Sequence, residues 1–192
     1  MEIEGNLNEN DRAVLLRLAR ETIQLTAARQ ALPHLDLADY SKDLRQDGVS
    51  FVTLTIDEQL RGCIGALEAY QPLVLDVQEH AAAAASEDYR FSRVRPEEVP
   101  LLEIEISRLT PTQTLQYENW QDLIAQLRPG LDGVLIRDGR RRATFLPQVW
   151  EKLPDPQNFL SHLCVKMGAP ENYWQTQKLD VSIYQVEEFK EK

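Results

Sequence analysis

Cysteine and histidine are scarce in this chain, with two of the first and three of the second in 192 residues. Cys63 and Cys164 stand far apart and form no closely spaced doublet, which removes the usual zinc spacings and leaves no iron–sulfur cysteine cluster. A reduced, cytoplasmic chain is the simplest expectation from so few thiols, although a single disulfide would also satisfy the count. Long apolar runs are missing too: no stretch approaches the roughly 20 residues that a membrane helix needs. The N-terminus is polar and acidic and shows no secretory signal. Positive charge is in deficit. There are 31 acidic residues against 21 basic ones, a formal net charge of −10, which opposes nonspecific attraction to nucleic acid and to anionic membranes. A phosphate-binding loop is absent as well, since Gly130-Leu131-Asp132-Gly133 has neither the lysine nor the length of one and reads as a turn. These absences disfavour metal hydrolases and nucleotide-dependent transferases, and no cofactor is expected.

What remains is the composition of a soluble globular protein, 43% hydrophobic and 27% charged. A chain of this length buries one good core, or a larger lobe with a smaller one appended, but not two ordinary full-sized domains. Apolar residues recur at helical spacing between Asn8 and Leu32, with Asn8 or Asn10 to cap the start and Pro33 to end it. Val49–Ile56 is a β-rich run, and Asp57-Glu58-Gln59 separates it from Leu60–Ala66, which predicts a hairpin. Pro72 opens a second helix whose alanine run combines high propensity with little bulk, so that it can lie close to a sheet. His80 falls on this helix, where phase suggests an exposed edge shared with Gln78 and Glu79, or an approach to Cys63 if the helix folds back on the hairpin.

Leu102–Leu109 alternates apolar and polar residues as a strand with one buried face, so Glu103 and Glu105 mark its polar side rather than an acid–base pair. A short helix follows around Trp120–Leu127. Asp138-Gly139 between two β-rich runs is a strong hairpin signal. A helix from Asp155-Pro156 to Gly168 carries Phe159, Leu160, Leu163, Cys164 and Met167 on one face, making Cys164 a packing residue. Val181–Val186 alternates as a closing strand before a charged tail. The order fits an α+β fold, a mainly antiparallel sheet flanked by helices.

The candidate site lies in Leu60-Arg61-Gly62-Cys63-Ile64-Gly65. Two glycines bracket a cysteine in a strand, and glycine there marks a bulge or the close approach of another backbone or a ligand. On a regular strand Arg61 and Cys63 leave the same face, where a guanidinium favours a reactive thiolate; a bulge at Gly62 changes that geometry. The plain alternative is a small core cysteine. Asp88 and Arg90 either pair with each other or point with Arg61 into one site. Gln148 is placed either to bind a substrate through its amide or to cap a helix. Arg140, Arg141 and Arg142 form a tempting anion patch, but alternation splits them between faces and charged edges also resist aggregation.

Leu60–Gly65 resembles the signature hexapeptide of the AMMECR1 domain family, also described as protein A of the AmmeMemoRadiSam system. The resemblance continues through Asp88–Phe91, Leu102–Ser107, Thr144–Val149 and Phe159–Lys166, and covers most of the chain from about Val49 onward. Tyr89 and Ser92 stand where that family often has proline, which bears on the rigidity of the loop. The resemblance implies two unequal lobes sharing a cleft. The larger is expected over 1–110 and 175–192, the smaller over 111–174.

It also implies work alongside a radical SAM protein and a Memo-like protein. The leading expectation is a small-molecule site between the lobes, with Cys63 as nucleophile or ligand and Arg61 to favour the thiolate or hold an anion. Gly62, Asp88, Arg90 and Gln148 would contribute binding groups. The alternative is a noncatalytic adaptor or binding subunit of the same system; a nucleic-acid-associated regulator ranks third.

Overall fold

The structure, a computed structural model, describes residues 6–191. In chain order the elements are α1 (Glu9–Ala27), α2 (Lys42–Arg45), β1 (Val49–Ile56), β2 (Gln59–Gly65), α3 (Leu73–Ser86), β3 (Glu103–Leu109) and β4 (Gln113–Thr114). They continue with α4 (Trp120–Gln126), β5 (Gly133–Asp138), β6 (Arg141–Phe145), α5 (Pro156–Lys166), α6 (Tyr173–Thr176), β7 (Asp180–Tyr184) and β8 (Val186–Lys190). The fold is α+β, built on two four-stranded antiparallel sheets, ordered β2-β1-β3-β8 and β4-β7-β5-β6. Two compact units result, one of Met1–Leu109 with Glu187–Lys192, the other of Thr110–Val186.

In the first unit the Asn8 side chain accepts the N–H of Asp11 at 2.9 Å and starts α1. The helix stops at Ala27, five residues short of the expected Leu32. Gln30 N–H turns back to Leu25 O and Arg29 N–H to Thr26 O, with Arg29 at φ 57°, a C-terminal cap that closes the helix before Pro33 is reached. The unit's core joins Leu15 and Ile23 of α1, Val74, Val77 and Ala81 of α3, and Val52, Leu54, Ile104 and Ile106 from alternate positions of β1 and β3. Glu103 and Glu105 lie outside that core, as the alternation predicted.

The charged end of the chain is structured rather than a solvated tail. A single closing strand was expected over 181–186; instead β7 ends at Tyr184 and β8 begins at Val186 in the other sheet. Gln185 sits at the break, exchanging two hydrogen bonds of 2.8 Å with Thr110. Within β8, Glu187 is only 4% exposed. Its carboxylate accepts from Leu7 N–H, Arg12 and Arg108, which makes burial of this charge tolerable.

The second unit wraps α5 over β5 and β7. Phe159, Leu160, Leu163 and Cys164 meet Val134, Ile136, Val181 and Ile183, with Trp150 stacked on Phe159 at 3.7 Å. Trp150 satisfies its buried indole N–H on Asp132 O at 2.7 Å. Asp138-Gly139 makes the expected hairpin between β5 and β6, with Gly139 at φ 59°.

Candidate functional site

Among the described residues strand β2 lies at the edge of its sheet and pairs with β1 alone. The pairing slips between Leu54 and Thr55: Leu54 faces Gly62, whereas Thr55 faces Leu60, leaving Arg61 as the extra residue of a bulge. Regular alternation therefore does not carry across from Arg61 to Cys63, and the two side chains bond different groups, Arg61 to Glu98 and Cys63 to Thr53. Both glycines are explained by approach. A Cβ on Gly62 would fall 2.3 Å from the backbone carbonyl oxygen of Ala84, so the alanine run of α3 does lie against the sheet, and glycine is what allows it. A Cβ on Gly65 would meet the Phe51 ring at 2.4 Å.

Arg61 spends its guanidinium on the loop that follows α3. It forks onto Glu98, Nε to Oε1 at 3.0 Å and Nη2 to Oε2 at 3.2 Å. It also donates to Ser92 O at 2.8 Å and Arg93 O at 3.3 Å. Hydrogen bonding to Arg61 pulls the Glu98 carboxyl from its ordinary 4.5 to about 2, against an opposing effect of burial.

Asp88 and Arg90 pair with each other, the first of the two readings open to them, and the pair also bonds the backbone of Cys63. Asp88 Oδ2 accepts the Cys63 N–H at 2.9 Å, while Arg90 Nη2 donates to Cys63 O at 3.4 Å and to Asp88 Oδ2 at 2.7 Å. Two side chains thus take the place of a neighbouring strand at the open edge of β2. Asp88 is 5% exposed. The Arg90 hydrogen bond, aided by the Cys63 and Arg90 backbone N–H groups, holds its carboxyl well below the usual carboxylate range despite burial. Arg90 is raised in turn, chiefly by that hydrogen bond and, among smaller charge effects, by Cys63. The loop lacks proline at Tyr89 and Ser92, and these side-chain bonds secure it instead.

The Cys63 thiol is half-buried and receives a hydrogen bond from the Thr53 hydroxyl at 3.4 Å. Thr53 stands opposite Cys63 on β1. Among the described residues it is the one side chain hydrogen-bonded to the sulfur. His80 corrects the expectation of an exposed edge: it is buried on α3, its Nδ1 3.1 Å from Asp76 Oδ2. The same oxygen accepts Ser50 N–H at 2.8 Å and Ser50 Oγ–H at 2.6 Å, and among the described residues Asp76 Oδ1 has no partner. Sequence reasoning missed Asp76, Ser50 and Glu98 because nothing local marks a polar residue as buried; the helical spacing of Asp76 and His80 was the one available signal.

Gln148 belongs to the second unit, exposed on the short helix Pro147–Glu151. Cys164 is fully buried there, and burial pushes its thiol up. Arg141 is tied to Asp138 and Tyr173. No group of three or more His, Cys, Asp or Glu among the described residues is arranged to hold a metal, and no helix among them is long and apolar enough to cross a membrane.

Fold and site together define an α+β protein whose edge hairpin presents a partly accessible cysteine held by an aspartate–arginine pair. The AMMECR1 family model matches residues 16–189, and the chain belongs to that family. A relative from Methanothermobacter thermautotrophicus is 35% identical over 188 residues, covering 96% of each chain. Another from Methanopyrus kandleri is 36% identical over 149 residues, 73% of this chain and 70% of its own. The crystal structure of an uncharacterised protein from Pyrococcus horikoshii has the same fold, with TM-score 0.73, 28% identity and coverage of 97% and 94%.

Proposed function

We propose that this AMMECR1-family chain is a cytoplasmic binding subunit that holds a small molecule at Cys63 and works beside a radical SAM protein and a Memo-like protein, which supply the reactive chemistry. The supporting observation is the sulfur's environment. A cysteine nucleophile needs a base or a strongly cationic setting. Cys63 has a threonine hydroxyl at 3.4 Å, while the histidine on the nearby helix is buried against Asp76. Arg61, expected to favour a thiolate, is a positioning residue in this reading, because it anchors the loop that bears Asp88 and Arg90. The two free thiols fit a reducing compartment.

A second reading, a cysteine-dependent enzyme, draws on one feature: Cys63 is partly exposed, and the Arg90 guanidinium reaches its backbone carbonyl. Alkylation by iodoacetamide across pH, with Cys63→Ser as the control, separates the two. The binding reading expects Cys63 to be alkylated at neutral pH no faster than a simple thiol such as glutathione run alongside. Rapid, Cys63-dependent alkylation at neutral pH or below would overturn it in favour of the enzyme. Partnership is tested separately by co-purification with a radical SAM protein and a Memo-like protein from one cell, where absence of both from the complex removes that part. Binding to nucleic acid through Arg140–Arg142 has the weakest support, with Arg141 already engaged.

A further inference from the structure

The end of α1 carries an arginine where the backbone favours glycine. Arg29 occupies the left-handed region, φ 57°, a position at a helix end where glycine carries no steric penalty and is the usual residue. Among the described residues its guanidinium has no hydrogen-bond or ion-pair partner. Close by, Arg93 donates to Thr26 O at 3.0 Å and forms no ion pair among the described residues. Thr26, Arg29, Gln30 and Arg93 line an open cavity of about 540 Å³. Among the described residues no carboxylate is in that lining. In a chain of net charge −10, the first unit pairs Arg12, Arg20, Arg61, Arg90, Arg95 and Arg108 with acids, whereas Arg29 and Arg93, like Arg17 and Arg45, form no ion pair among the described residues, and only Arg29 and Arg93 share a cavity lining.

Cations at a helix C-terminus also complement the helix dipole. That effect accounts for the Arg93 bond to Thr26 O. It does not engage the Arg29 side chain: Gln24 O is bonded by Ala28 N–H, Leu25 O by Gln30 N–H, and Thr26 O by Arg29 N–H and Arg93, and the Arg29 guanidinium bonds none of these carbonyls. Most donors of both guanidinium groups therefore stay available at the cavity. One arginine fork satisfies a planar carboxylate, whereas a tetrahedral dianion offers enough oxygens to engage two forks together.

We infer that the cavity at the C-terminal end of α1 is a binding site for a phosphate-bearing small molecule, with Arg29 and Arg93 holding the anion and Gln30 beside them. The site is separate from Cys63 and stands or falls independently of the reading given to that thiol.

The test uses the full chain and inorganic phosphate as probe, read by calorimetry and thermal unfolding, with sodium chloride and sodium acetate at matched ionic strength. Phosphate is expected to bind saturably and raise the melting temperature, and the two control salts are not. Arg29→Gly removes the guanidinium while relieving the backbone, so it should fold at least as well as the parent and bind phosphate at least tenfold more weakly. Arg93→Lys keeps the charge but loses the fork, and should also weaken binding. The inference is overturned if phosphate acts no differently from the control salts, or if both variants bind it like the parent.

Discussion

The Asp88 carboxylate accepts the backbone N–H of Cys63 at 2.9 Å across 25 residues of sequence, joining the loop after α3 to the edge strand that carries the cysteine. The bond puts a buried, ionised side chain in charge of an otherwise open strand edge. Arg90 completes it on the carbonyl side.

Removing that carboxylate tests how much it contributes. Asp88→Ala leaves the Cys63 N–H and the Arg90 guanidinium without their shared partner, and hydrogen bonds to charged groups contribute about 1.5–3 kcal/mol. A loss of about 2 kcal/mol in urea unfolding is expected, together with faster alkylation of Cys63 and more aggregation through the uncovered edge. Unchanged stability and alkylation would show that the edge does not depend on this bond.

Acid should weaken the Arg61 anchor. Glu98 has a carboxyl lowered from 4.5 to about 2 in the folded protein, so the unfolded chain takes up the proton first as pH falls. Its stabilising contribution is complete above the unfolded value and disappears as pH drops from there through about 2. Asp88, lowered for the same kind of reason, adds to this in the same direction. Glu98→Gln should therefore flatten the lower end of the stability–pH curve relative to the parent; parallel curves for the two proteins between pH 5 and 2.5 would contradict the assignment.

Gly62 is expected to resist even the smallest substitution. Gly62→Ala places a methyl group 2.3 Å from Ala84 O, a backbone atom that can yield only if α3 moves. Overpacking of this sort costs about 1–3 kcal/mol. Gly139→Ala, at φ 59° in open space, meets no atom and costs only the backbone term of about 1–2 kcal/mol. Chemical denaturation of both variants separates collision from backbone strain, because a compensating Ala84 shift should appear in the amide spectrum of Gly62→Ala alone.

Glu187 gives the strongest expected effect on stability. Truncation to alanine takes from Arg12 and from Arg108, which is 11% exposed, the carboxylate they share and leaves Leu7 N–H without its acceptor. Breaking a buried ion pair from one side costs about 3–5 kcal/mol. Glu187→Ala should melt well below the parent, and a change under about 1 kcal/mol would mean that the cluster is solvated in solution.

Local pattern was enough for the elements that bury one face on a regular period. The alternation of Leu102–Leu109, the helical spacing around Phe159–Met167 and the Asp138-Gly139 turn each state their conformation within a few residues, because period and turn chemistry are local properties of the chain. The same holds for the glycines and small alanines that let α3 approach β2, and for the family to which the motifs belong. What Arg61, Asp88 and His80 would touch was not legible at that range. A one-residue bulge interrupts the regular alternation between Arg61 and Cys63, a loop returning from α3 brought Asp88 and Arg90 to the cysteine's backbone, and burial drew His80 onto Asp76 one turn away on its own helix and Glu187 onto Arg12 and Arg108 of other elements. Each of those outcomes depends on which groups tertiary contact places within hydrogen-bond reach, and charge alone predicts solvent until the folded chain supplies a partner.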